Sequence, residues 1–173
     1  MGMDVVGLDP MNKTGEYFRN NVWYWHPLWD FCDEIAADLI EDVDGTGHTN
    51  SGFVVPDFKA LDLGSRLKNA LEDGTAKMWM DERNEYLASL PRKVCKWCDG
   101  TGIRTDEVGV SQGMVTKALE PEIAILVGRE VGYCNGCRGE GMVDDFATSY
   151  SFDLDNVREF ANFCINSGGF EIW

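Results

Sequence analysis

Two eight-residue segments of this chain share one design. Cys95-Lys96-Trp97-Cys98-Asp99-Gly100-Thr101-Gly102 and Cys134-Asn135-Gly136-Cys137-Arg138-Gly139-Glu140-Gly141 both read C-x-x-C-x-G-x-G. Two residues between cysteines let both thiolates of one knuckle reach a single ion, and two knuckles supply the four sulfurs of a tetrahedral Zn²⁺ site. The glycines have a mechanical reason to be there: glycine accepts the positive φ of a sharp turn and lets backbone N–H groups approach the sulfurs. A single CxxC could serve as a redox pair. Recurrence of the whole motif, glycines included, favours metal over redox or disulfide use. The expected ligands are Cys95, Cys98, Cys134 and Cys137. A zinc held by four protein sulfurs keeps no position open for water, so its expected role is structural.

The repeated motif resembles the cysteine-rich zinc domain of DnaJ-type cochaperones. The resemblance covers the two motifs and little else. DnaJ proteins carry four copies for two zincs, and this chain has two copies, enough for one. A J domain is recognised by His-Pro-Asp, and here the corresponding tripeptide is His26-Pro27-Leu28. The resemblance therefore implies metal ligation by the four cysteines and no cochaperone activity.

At 173 residues the chain is long enough for one domain, or for one domain with a metal-held insertion, and its 44% hydrophobic content suffices for a core. No run approaches the ~18–20 apolar residues of a membrane span. The first ten residues lack the basic flank and apolar stretch of a signal peptide. Val6 stands where a myristoylation signal wants Ser or Thr. A soluble intracellular protein is expected, and reduced thiols there favour metal over disulfides. Thirty acids against 15 bases give a net charge of −15. That argues against duplex nucleic acid, which needs a basic footprint, and fits a basic protein partner.

Taken in order, residues 3–8 read as a short strand. Pro27 sits well as the first residue of a helix running to about Val43, with Leu28, Cys32, Ile35, Ala36 and Leu39 on one face. Residues 45–52 read as a loop. Helices are predicted over about 57–73, 75–90 and 154–167, and Phe170 to Trp173 as a strand able to pair with residues 3–8. The expected fold is α+β and mostly α: a small helical body, short paired terminal strands and a Cys₄ zinc-knuckle excursion. The corresponding regions are 1–92, 93–142 and 143–173, the last packing back on the first.

The other information-rich stretch is residues 16–26, where five aromatic rings interleave with Glu16, Arg19, Asn20 and Asn21. Glu16, Arg19, Asn20, Trp23 and Trp25 are the candidate binding residues. They suit a hot-spot surface for a protein or a stacking platform for a nucleotide. The plainer reading puts the tryptophans in the core. Trp97 either shields the metal or stands exposed. Cys32 and Cys164 fall on apolar helix faces as buried thiols. His48 is paired with Asp44 on paper, or lies in a solvated loop. No P-loop, nucleophile elbow, zincin or dinucleotide fingerprint is present.

Taken whole, the chain resembles a family of uncharacterised phage and prophage proteins. The pattern comprises Met1-Gly2-Met3-Asp4 with Gly7, Gly15 to Trp25, Ile103 to Gly109, the paired knuckles, Asn156 to Phe160 and Gly168 to Phe170. It implies a phage gene product in the bacterial host cytoplasm and no particular activity. Two functional expectations follow. One is a non-catalytic, zinc-stabilised protein that binds and modulates a host protein, with inhibition of a defence component as one form. The alternative is a small-ligand or nucleotide-binding protein, sponge or enzyme, with its site around Arg19, Trp23 and Trp25.

Overall fold

A computed structural model describes residues 2–40, 42 and 44–173. In chain order the elements are β1 (Gly2–Gly7), α1 (Lys13–Glu16), β2 (Tyr17–Asn21), α2 (Val22–Ile35), β3 (Phe53–Pro56), α3 (Asp57–Glu72), α4 (Thr75–Ser89), β4 (Lys93–Val94), α5 (Glu107–Ser111), α6 (Pro121–Val127), β5 (Met142–Val143), α7 (Leu154–Asn166) and β6 (Gly169–Ile172). Short 3₁₀ turns lie at Thr46–His48 and Phe146–Ser149. The protein is a mixed α+β, mostly helical fold, as predicted. It divides into two compact units: Met1–Ala88 with Ser149–Trp173, and Ser89–Thr148.

In the first unit, four antiparallel strands are ordered β2-β1-β6-β3. The expected pairing of the two terminal strands is present, with Val5 opposite Ile172 and Val6 opposite Glu171. Strands β2 and β3 flank that pair and were not foreseen. Side chains alternate across a strand, so Met3, Val5, Phe18, Phe170 and Ile172 turn inward and are buried. Tyr17, Arg19, Val6, Val54 and Trp173 stay exposed.

Helix α2 begins five residues before Pro27, not at it. The Asn21 side chain accepts the Trp23 N–H at 3.1 Å and so caps the helix. A proline inside a helix leaves the carbonyl four residues back without its usual donor. Here that carbonyl belongs to Trp23, and the Ser151 N–H takes it at 3.0 Å. The far end also differs. Val43, the expected stop, lies outside the described residues, as does Met1; α2 itself ends at Ile35. Arg66 supplies the reason, donating to the Ile35 carbonyl at 3.2 Å while holding Asp38 with both terminal nitrogens.

Helices α3, α4 and α7 lie where apolar periodicity places them. Asp153 caps α7 by accepting the Asn156 N–H at 2.9 Å. Helices α3 and α7 approach closely at Gly64, where a Cβ would meet the Ala161 carbonyl oxygen at 2.8 Å. The core between helices and sheet is aromatic. Trp25, Trp29, Phe31, Phe160, Phe163 and Phe170 are fully buried, each worth about 1.5–3 kcal/mol in water-excluded surface. Cys32 and Cys164 are buried free thiols.

In the second unit, β4 and β5 pair as a short ribbon, with Lys93 opposite Val143. The chain between the knuckles is not a bare loop. Asp106 caps α5, Pro121 starts α6, and Gly128 closes it in the left-handed region. Backbone bonds from Tyr133 to Met114, Gly132 to Lys117 and Leu119 to Glu130 bring the chain back to the second knuckle.

Candidate metal centre

Each knuckle is built by its own local sequence, and the two match in backbone geometry. After the second cysteine, Asp99 and Arg138 take φ of 48° and 54°. The next residues, Gly100 and Gly139, take 84° and 87°, and Gly102 and Gly141 take 72° and 81°. Such angles are uncommon for side-chain-bearing residues, so the repeated glycines are a conformational requirement. They aim an N–H at sulfur: Gly102 donates to Cys98 Sγ and Gly141 to Cys137 Sγ, both at 3.2 Å. The Cys95 N–H donates to the Gly141 carbonyl at 2.9 Å, tying one knuckle to the other.

The four predicted sulfurs converge. Cys95, Cys98, Cys134 and Cys137 are buried, with all Sγ atoms within 4.8 Å of one another. The Cys95–Cys134 and Cys98–Cys137 sulfurs are 3.9 and 3.7 Å apart. Four sulfurs at tetrahedral corners ~2.3 Å from a centre lie about 3.8 Å from each other. A disulfide needs about 2.05 Å. The donor set therefore fits a metal ion and not a bonded pair.

Burial pushes the Cys134 thiol up and the Cys137 thiol up to about 12. Burial acts the same way on Cys98, but the Gly102 N–H and the neighbouring thiols outweigh it and the value falls. Four thiols this close cannot all ionise without a cation among them, and a divalent ion would displace their protons.

Arg104, named from sequence only within the stretch Ile103 to Gly109, is a charged neighbour of this centre. Its side chain is buried, donates to Asp106 from Nε at 2.8 Å and to Asn135 Oδ1 at 3.0 Å, and stacks on Trp97 at 4.8 Å. The Asp106 hydrogen bond holds the guanidinium above its ordinary pKa, and the charges of Cys134 and Cys95 add to that. A spacing signal existed in Arg104-x-Asp106, but only the fold brings it beside cysteine. Trp97 seats on Gly136, where a Cβ would strike the ring, and leaves half its surface exposed.

The candidate binding residues of the aromatic segment are not brought together. Glu16 ends α1 and is exposed. Arg19 points outward from β2, its Nε 3.7 Å from Asp4. Asn20 points the other way, buried, and donates to Asn156 at 2.9 Å. Trp23 is half-buried against Tyr150. Trp25 is wholly buried, stacked on Trp29, with its indole N–H on the Gly47 carbonyl at 2.8 Å. Strand alternation separates Arg19 from Asn20, and helix burial removes Trp25.

His48 is not paired with Asp44. Its ring stacks on His26, and its Nε2 lies 3.5 Å from Asp30 and 3.8 Å from Asp33. Among the described residues no further group of histidine, cysteine and carboxylate atoms has metal-binding geometry. Nor is any described helix long and apolar enough to cross a membrane.

No protein-family model, curated protein or solved structure matches the chain. The likenesses to DnaJ-type motifs and to phage proteins thus rest on the quoted residues alone.

Proposed function

We propose that this is a zinc-stapled binding protein, non-catalytic, acting through contact with another protein. The observation that carries the reading is the closed four-sulfur centre: every corner is a buried cysteine, and glycine N–H groups bond two of the sulfurs. Such an all-thiolate set is the chemistry of structural zinc, which supplies folding energy and offers no site for substrate. The ion is named as zinc because four hard-turned cysteines at this spacing select a tetrahedral thiophilic metal.

The protein partner is read from charge. Ser89–Thr148 holds seven bases and nine acids, which leaves 21 acids and eight bases, a net −13, on the other unit. That unit repels phosphate backbones and attracts basic protein surfaces. The phage resemblance makes a bacterial host protein the natural partner, with a defence component as one form of target. The small-ligand alternative loses support, since Trp25 and Asn20 are buried away from Arg19.

The test is affinity capture from bacterial lysate with zinc-loaded protein, followed by reconstitution from purified components. A stoichiometric complex that weakens with salt supports the reading. A nucleotide or metabolite that raises the melting temperature with no protein partner, its effect lost in Arg19→Ala, points to the alternative.

A further inference from the structure

The four-stranded sheet has one face on the aromatic core and one face open. Register fixes what the open face displays. Tyr17 lies opposite Val6, Val6 opposite Glu171, and Glu171 opposite Val54, so one row crosses all four strands. Two residues beyond Glu171, just past the end of β6, Trp173 pairs with Asp4 through both backbone bonds, at 2.9 and 2.7 Å. Val6, Tyr17, Val54 and Trp173 are 40–52% exposed. Apolar side chains aligned on a sheet are ordinarily covered, and singly scattered ones are not informative. These are aligned.

The charges on this face say what covers it. The Asp4 carboxylate is already engaged, by Arg19 and by the Tyr17 hydroxyl. The Glu171 carboxylate makes no hydrogen bond or ion pair among the described residues, and it stands between two valines with Trp173 two positions on. A carboxylate beside an open indole is the pairing that receives an arginine or lysine: ion pair on one side, cation–π contact on the other. A second copy of this chain would bring another −13 unit against the first, and nucleic acid would bring phosphates. A basic polypeptide alone complements both the charge and the apolar row.

Resting on the protein-partner reading, we infer that the open face of β2-β1-β6-β3 is the docking surface, and that its occupant is a basic, partly apolar polypeptide placing an arginine or lysine over Trp173 and against Glu171. Arg19, proposed from sequence as a contact, borders this surface.

The probe is a nonapeptide alternating arginine and valine, with a glutamate-for-arginine counterpart, titrated into the zinc-loaded full chain. The arginine peptide is expected to saturate and to move the amide resonances of Val6, Val54, Glu171 and Trp173. Glu171→Gln and Val54→Lys are each expected to weaken it about tenfold, with melting temperature unchanged. Asp81→Asn removes an equal charge from α4 and should have little effect. Equal weakening by Asp81→Asn, or shifts scattered over the chain, would mean general acidity and overturn the surface. Binding of the glutamate peptide or of oligo-dT, or a dimer that Val54→Lys dissolves, would also overturn it. A host protein captured equally by wild type and Val54→Lys keeps the partner reading and removes this face. Specific peptide binding here with no host protein ever captured does the reverse.

Discussion

The Nδ1 atoms of His26 and His48 face each other at 3.1 Å, with the rings stacked 10° from parallel. One Nδ1 must donate and the other accept, so at least one ring of the pair is neutral. Two imidazolium rings would point two N–H groups at each other. Burial holds His26 below the ordinary histidine pKa, and the neighbouring His48 lowers it further. In the unfolded chain His26 takes its proton near the ordinary value of about 6.5. A depressed folded value means the unfolded state binds that proton first, so stability is lost as pH falls below about 6.5. NMR titration should place the His26 midpoint below 6.5, and His48→Ala should move it upward.

Asp33 has the opposite sign. Burial raises its carboxyl to about 6, with His48 opposing and Asp42 and Asp30 assisting. The folded state therefore binds this proton more readily than the unfolded state, and ionised Asp33 works against the fold at neutral pH. Asp33→Asn should melt higher than wild type above pH 6, and the advantage should shrink as pH falls from 6 towards 4. A constant difference across that range would remove Asp33 from the account.

Asp42 organises the turn that presents His48. Its carboxylate accepts the Trp29 indole N–H at 3.1 Å and the backbone N–H groups of Thr46 and Gly47 at 2.7 and 2.8 Å. Replacing it leaves donors unpaired beside a buried tryptophan. Asp42→Ala should cost about 2–4 kcal/mol in denaturant unfolding, and it should also shift the His26 titration, since the turn carries His48.

Gly64→Ala tests the α3–α7 contact. Alanine is the better helix former by about 1 kcal/mol, but its Cβ would meet backbone oxygen at 2.8 Å. Overpacking against backbone should win, with a net loss of about 1–2 kcal/mol. A stabilised variant would mean the helices can separate without penalty.

The parts of the fold legible in sequence were those set locally. Helices α3, α4 and α7 each carry a stripe at helical spacing. The knuckles were legible because ligand spacing and turn glycines lie within eight residues. What was missed depends on distant partners. Pro27 looks like a helix start until Ser151 is seen to take the Trp23 carbonyl. Strand β2 hides its alternation because Asn20, pointing inward, is polar and is satisfied by distant Asn156. The His26–His48 stack joins segments 22 residues apart, and Arg104 sits beside Cys134, 30 residues on, and no local pattern announces either.

Cys95, Cys98, Cys134 and Cys137 form the four-sulfur site proposed to hold one zinc that staples the second unit. Arg104→Met should weaken that hold roughly 10–100-fold by removing the cation beside the sulfurs, while Cys32→Ser should leave metal content alone. The most direct measurement is metal content by native mass spectrometry of the purified chain and of Cys137→Ser. The account predicts one zinc per wild-type chain and none in the variant; a variant that retains its zinc in full, or a native chain that carries none, would contradict it.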